Sequence, residues 1–256
     1  MKQYETISFY VENSTAVLTF NRPPVNVLNM EMMEEIVDAL ETVCKNNSLT
    51  ALVIKAEGKA FSAGVAIEDH LGDKTEPMIH LFHKMFHILA RVQCPTIAVV
   101  DGAALGGGCE VATFCDIVIA TEKAKFGQPE INLGLFPPVS VVSFPWLMGL
   151  NRTMELLLTG ETIDAQKAYE YGLVNRIVAR EELDSSIEKL LSNFRSKSPL
   201  ALSLMKKAIR KSMTSSFSSA IGEVEQIYLQ DLVRTNDAQE GLHSFLEKRE
   251  PVWKNS

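Results

Sequence analysis

The chain has 256 residues, 46% of them hydrophobic and 22% charged, with a formal net charge of -7 at pH 7. That length and apolar content allow one large domain with a sizeable core and exclude a disordered chain. The negative balance removes any general attraction for nucleic acid or an anionic membrane, so a polyanionic ligand would need a local cluster of cations.

Residues 7–20 set β-branched and aromatic residues on either side of Asn13-Ser14, which predicts two strands and a tight turn. Asn21-Arg22-Pro23-Pro24 stops the second strand, because proline lacks a donor and restricts the residue before it. From about Asn29 to Lys45, Met33, Ile36, Val37, Leu40 and Val43 recur at helical spacing, which predicts an amphipathic helix. Ala51 to Ala56 predicts a strand, and strand, helix and strand in that order predict a right-handed parallel crossover. Gly58 to Gly64 reads as a loop of small residues where the backbone approaches something closely. Residues 77–91 predict a helix carrying His80, His83 and His87 on one face. His83 and His87 have the i, i+4 spacing of a metal pair, yet Phe82, Met85, Phe86 and Leu89 make this an apolar packing helix. The preferred reading is a half-exposed helix face, and no metal is expected.

Thr96 to Val100 predicts a buried strand, followed by Gly106-Gly107-Gly108 and a helix opening at Cys109-Glu110. Asp116 to Thr121 predicts another strand, and Phe126-Gly127-Gln128-Pro129-Glu130 a loop. Asp101, Glu110, Asp116 and the glycines argue against a membrane span from Thr96 to Ala120. Ile131 to Pro145 is apolar and Pro-rich and reads as an irregular stretch that could wall a pocket rather than a regular surface helix. Residues 151–158 and 164–171 predict short helices, the second capped by Gly172, and Leu173 to Val178 predicts a last strand. From about Arg180 the pattern is helical: a helix from Pro199 through Lys211, one over 218–234 and one over 238–248. The expected division is a sheet-forming core over 1–195 and a helical region over 196–256.

Some chemistries lack their signatures. No G-x-G-x-x-G follows the first strand, no Lys-Ser/Thr follows the glycine run, and no G-x-S-x-G elbow is present. Cys44, Cys94, Cys109 and Cys115 contain no C-x-x-C pair, so reduced, buried thiols are expected; Cys109 as a nucleophile has no identifiable base. With no apolar run at the N-terminus suited to a signal peptide and no Arg-rich transit pattern, a cytoplasmic location is expected.

The chemistry concentrates between Thr96 and Glu130. A glycine run that opens a helix presents unpaired N–H groups at the positive end of the helix dipole. A second small-residue loop at Ser62-Ala63-Gly64 could supply another N–H, and two donors aimed at one point make an oxyanion hole. Glu110 and Glu130 then suit proton transfer, one taking a proton from water and one giving a proton to carbon. The bland reading stays open beside it: glycines before helices are ordinary turn residues, and a glutamate at a helix start suits the dipole.

Five stretches together resemble the enoyl-CoA hydratase/isomerase (crotonase) family over essentially the whole chain. They are Phe20-Asn21-Arg22-Pro23, Ala60-Phe61-Ser62-Ala63-Gly64, Leu105-Gly106-Gly107-Gly108-Cys109-Glu110, Phe126-Gly127-Gln128-Pro129-Glu130 and Phe245-Leu246-Glu247-Lys248-Arg249. The resemblance implies an α/β fold, a ββα spiral core with a C-terminal helical trimerisation region, assembled as a trimer or hexamer. It implies that the amides of Ala63 and Gly107 form the oxyanion hole, that Glu110 and Glu130 are catalytic, and that the substrate is an acyl-CoA thioester. No cofactor is implied, since CoA is part of the substrate, and neither nucleic acid nor membrane is an expected partner. Substrate contacts fall on Ala63, Gly64, Val65, Ala66, Gly106, Phe136 and Pro137, with Phe245 and Lys248 holding the adenine end of CoA from a neighbouring subunit. Two departures stand out. The usual Ala-Gly-Ala-Asp reads Ala63-Gly64-Val65-Ala66, and the usual Gly-rich stretch after the second glutamate reads Leu135-Phe136-Pro137-Pro138-Val139-Ser140. With Glu68-Asp69-His70 and the ending from Glu225 to Trp253, this version is most similar to members that hydrate cyclohexa-1,5-diene-1-carbonyl-CoA in anaerobic benzoyl-CoA degradation.

Overall fold

The computed structural model describes residues 3–213 and 216–256. In chain order its strands are β1 (Ile7–Glu12), β2 (Thr15–Phe20), β3 (Ala51–Ala56), β4 (Ala60–Ser62), β5 (Thr96–Val100), β6 (Ala103–Leu105), β7 (Ile117–Thr121), β8 (Lys125–Gly127), β9 (Thr162–Asp164) and β10 (Arg176–Val178). Its α-helices are α1 (Met30–Cys44), α2 (Thr75–Arg91), α3 (Gly107–Phe114), α4 (Pro138–Met148), α5 (Leu150–Thr159), α6 (Ala165–Tyr171), α7 (Leu183–Arg195), α8 (Pro199–Ser212), α9 (Phe217–Gln226) and α10 (Asn236–Glu247).

The strands form two sheets, β1-β2-β3-β5-β7-β10 and β4-β6-β8-β9. Asn13 and Ser14 both take positive φ, which turns β1 antiparallel onto β2; from β2 onward the larger sheet is parallel. In the small sheet β4, β6 and β8 are parallel and β9 closes it antiparallel. The chain therefore spirals: β3, β5 and β7 are each followed by a short strand, β4, β6 and β8, and successive turns stack in register. That is the expected ββα spiral with helices after it.

Alternation along the strands sends their side chains two ways. Leu52 and Ile54 of β3 and Ala98 and Val100 of β5 face a large core with α1, α2 and α3. Ala51, Val53, Ile97 and Val99 face the other way and are covered by Leu183, Leu190 and Leu191 of α7. α1 starts where Asn29 accepts a hydrogen bond from the Met32 N–H, and α6 runs from the Asp164 cap to Gly172 in the left-handed region, as its sequence predicts.

Ile131 to Pro145 differs from its expectation. After a 3-10 turn (Pro129–Leu133), residues from Pro138 onward form α4, with Pro138 in its first turn and Pro145 inside it. Proline is well suited to a first helical position, and Val139, Val141, Val142, Phe144, Trp146 and Leu147 make the helix apolar on all sides, so no helical period shows in the sequence. The three-residue strands β4, β6, β8 and β9 also fall outside the expected strands, each too short to establish an alternating pattern, whereas β10 lies within the expected Leu173 to Val178. No helix among the described residues is long and apolar enough to cross a membrane.

Candidate active site

The stacking of β4, β6 and β8 brings the segments that follow them together. Gly106 donates its N–H to the Gly127 carbonyl at 2.9 Å, carrying the β6–β8 pairing one residue further. Beyond that bond lie Gly64 after β4, the glycine run after β6, and Gln128 to Glu130 after β8. The glycines are required by this closeness. A Cβ on Gly106, which holds φ +52°, would sit 2.6 Å from Glu130 Oε1. A Cβ on Gly107 would meet Val65 Cγ2 at 2.7 Å, and one on Gly108 would meet Ser62 Cβ at 2.5 Å. Gly64, at φ +102°, lies against Gly106 and Gly107.

The two sequence-predicted glutamates converge here. Glu110, in the first turn of α3, is 2% exposed and accepts a hydrogen bond from the Ser140 N–H at 2.7 Å. Burial pushes its carboxyl up to about 8; the amides of Ser140 and Val139 pull the other way, and the charge of Glu130 adds to the rise. Glu130 is half-buried on the 3-10 turn, and burial raises its carboxyl as well. The turn is clamped by the Leu135 N–H donating to the Glu130 carbonyl at 3.0 Å.

Between them lies a polar link that the sequence reading passed over. Gln128 and Ser140 are both 0% exposed, and the Gln128 amide lies 2.6 Å from Ser140 Oγ. With its oxygen accepting from the Ser140 hydroxyl, the Gln128 nitrogen donates to Glu130 Oε2 and to the Gly106 carbonyl, each at 3.2 Å. Gln128 stands inside the Phe126–Glu130 motif; a polar side chain between a glycine and a proline was the available signal.

The donor predicted at Ala63 is corrected. Its N–H already donates to the Val25 carbonyl at 2.9 Å, so it is spent inside the fold. Two residues on, Leu28 pairs with Val65 through the Gly64 carbonyl and the Ala66 N–H, and this parallel bridge leaves the Val65 N–H on the opposite side. Val65 is the residue packed on Gly107, whose own N–H belongs to the unpaired first turn of α3. Val65 and Gly107 are thus the amide pair beside the glutamates.

Phe136 and Pro137 join the Glu130 turn to α4, Phe136 being 68% exposed. Ala66 is buried and fixed to Leu28. Phe245 is 82% exposed near the end of α10, and Lys248 caps that helix in the left-handed region; both stand outside the glutamate cluster. Cys109 is fully buried and its thiol is pushed far above the ordinary range, which removes it as a nucleophile. Among the described residues no group of three His, Cys, Asp or Glu side chains is arranged to hold a metal. A cleft of about 640 Å³ opens elsewhere, between α3, α4 and α8, and neither glutamate lines it.

The enoyl-CoA hydratase/isomerase family model matches residues 10–256. The crotonyl-CoA hydratase of Syntrophomonas wolfei is 37% identical over 252 residues, covering 96% of each chain. A probable enoyl-CoA hydratase of Mycobacterium tuberculosis is 35% identical, covering 97% of each. Among solved structures, an enoyl-CoA hydratase of Geobacillus kaustophilus superposes with a TM-score of 0.92 at 32% identity, over 100% of both chains.

Proposed function

This chain belongs to the enoyl-CoA hydratase/isomerase family, and from that membership we propose that it is a cofactor-free acyl-CoA hydratase, a hydro-lyase, whose protons move through Glu110 and Glu130. The reading rests on one observation: two carboxyls with raised proton affinity and two unpaired amides meet where the three short parallel strands end.

In this proposal the thioester oxygen is held by the N–H groups of Gly107 and Val65, with Gly64, Ala66, Gly106, Phe136 and Pro137 shaping the space around the acyl group. Glu130, the more exposed carboxyl, takes a proton from water as the water oxygen bonds to the alkene. Electron density moves onto the thioester oxygen, where the two amides stabilise it. Glu110, which burial keeps protonated near neutral pH, delivers a proton to carbon and the thioester re-forms. The net change is addition of one water, with no oxidation or reduction, once the proton left on Glu130 has passed back to Glu110 for the next turnover. The same proposal includes self-association as a trimer or hexamer, with Phe245 and Lys248 meeting the adenine end of CoA bound to a neighbouring subunit.

For the acyl group we propose the conjugated cyclic dienoyl thioester. Phe136-Pro137-Pro138 supports this, because it puts rigid, bulky residues between the Glu130 turn and the start of α4, where the family usually has glycines. A short straight-chain enoyl thioester is the second reading, favoured by relatives named crotonyl-CoA hydratase and short-chain-enoyl-CoA hydratase. Initial rates on cyclohexa-1,5-diene-1-carbonyl-CoA and on crotonyl-CoA separate them. The proposal expects kcat/KM for the cyclic substrate to be higher by about tenfold or more, within what pocket shape alone can supply. A preference for crotonyl-CoA installs the second reading, and no turnover of either removes the hydratase proposal.

A further inference from the structure

We propose that Ser140 and Gln128 are positioning residues that link the two glutamates with one fixed polarity, its donor end turned to Glu130, so that Glu130 ionises ahead of Glu110. This rests on the hydratase reading of the same site and goes beyond it by naming what keeps the pair in opposite protonation states.

The link is continuous, and its two middle residues are closed to solvent. The Ser140 N–H holds Glu110 Oε1 at 2.7 Å; Ser140 Oγ lies 2.6 Å from the Gln128 amide; the other end of that amide lies 3.2 Å from Glu130 Oε2. A serine hydroxyl can donate once and accept, and a primary amide presents a donor end and an acceptor end, so the link has two polarities to compare. In one, the Ser140 hydroxyl donates to the Gln128 oxygen and the Gln128 nitrogen donates to an ionised Glu130. In the other, the Gln128 nitrogen donates to Ser140 Oγ while its oxygen faces two acceptors, the Gly106 carbonyl and Glu130 Oε2, and a proton on Glu130 would relieve only the second contact. The first polarity therefore pairs both ends of the Gln128 amide, and it turns a donor toward Glu130, which favours the charged form of that carboxyl. The second polarity leaves acceptor facing acceptor at a side chain 0% exposed, where an unpaired group is costly.

The titratable groups facing the link are Glu110 from α3, Glu130 from the turn after β8 and the thiol of Cys109, which burial keeps protonated throughout the working range. The Ser140 backbone amide is independent of its side chain, so Ser140→Ala cuts the link while leaving the bond to Glu110 in place.

The test reads the carboxyls directly and then the reaction. Isotope-edited infrared titration of 13C-glutamate-labelled protein, without substrate, is compared for the unmodified chain, Ser140→Ala, Ser140→Thr and Gln128→Met. With the link intact, the buried carboxyls lose their protons in two steps separated by a plateau at which the pair holds one. Ser140→Ala and Gln128→Met should each narrow that separation, and Ser140→Thr should restore it. In parallel, the bell of kcat/KM against pH should narrow in Ser140→Ala, with kcat lower by about tenfold and KM little changed. Superimposable titrations of the unmodified chain and both link-breaking variants overturn the coupling. If the unmodified chain hydrates no enoyl-CoA, the functional reading fails, and the infrared titration still decides the coupling. Gln128→Met supplies the same reading should Ser140→Ala not fold.

Discussion

Glu110 is a carboxyl kept where its neutral form is the comfortable one. At 2% exposure it gains amide contacts from α4, yet burial outweighs them and lifts it from an ordinary 4.5 to about 8. The consequence for stability has a definite sign. Below pH 4.5 the group is neutral in folded and unfolded chains alike and costs nothing. Between 4.5 and about 8 the unfolded chain releases its proton while the folded chain retains it, so this residue makes stability fall as pH rises, levelling off above 8. Glu110→Gln removes that slope. In thermal unfolding followed across pH, the variant should be more stable than the unmodified chain by roughly 3 to 5 kcal/mol near pH 8.5, with the difference vanishing toward pH 4.5. Parallel curves would show that the carboxyl ionises in the fold as easily as in water. A site that becomes more stable when its acid is removed is one shaped for chemistry rather than for folding.

At the scale of elements, the helical region is fastened to the spiral by an ion cluster. Asp116, just before β7, accepts from the Thr96 N–H at 2.8 Å and lies 2.6 Å from Lys206 Nζ and 3.0 Å from Arg210 Nη2, both on α8. Lys206 also donates to the Cys94 carbonyl and Arg210 to the Ala90 carbonyl, so one helix face holds the ends of α2, β5 and β7. Burial raises the Asp116 carboxyl, but the two cations and Thr96 outweigh it and leave it below its ordinary value. Asp116→Asn should cost about 2 kcal/mol, a buried-pair loss reduced because 26% of the side chain meets solvent. Denaturant unfolding measures this, and an unchanged midpoint would mean α8 is held by packing alone. The sequence shows α8 clearly, because Pro199 and the Ser198 cap mark its start and apolar residues recur along it. It hides α4, whose apolar residues point in every direction and whose prolines read as breakers. It also hides the short strands β4, β6, β8 and β9, which exist only because neighbouring segments supply their hydrogen bonds.

The whole molecule makes the site by stacking: parallel turns of the spiral carry residues near 64, 106 and 130 to one place although the chain separates them by dozens of positions. Glu110, Glu130 and Gly107 were legible because glycines and buried acids are conspicuous in an apolar stretch. The second amide was not, since whether Ala63 or Val65 offers its N–H depends on how the loop pairs with Val25 and Leu28, contacts far away in sequence. Gln128 and Ser140 matter through each other, and their separation of 12 positions conceals that they touch. The central claim is that both carboxyls serve one hydration, and the hydration rates of Glu110→Gln and Glu130→Gln, in protein shown to be folded, test it most directly. Each variant should lose about 100-fold or more in turnover, with the double variant falling little further than the weaker single one; turnover near that of the unmodified chain in either would contradict a shared role.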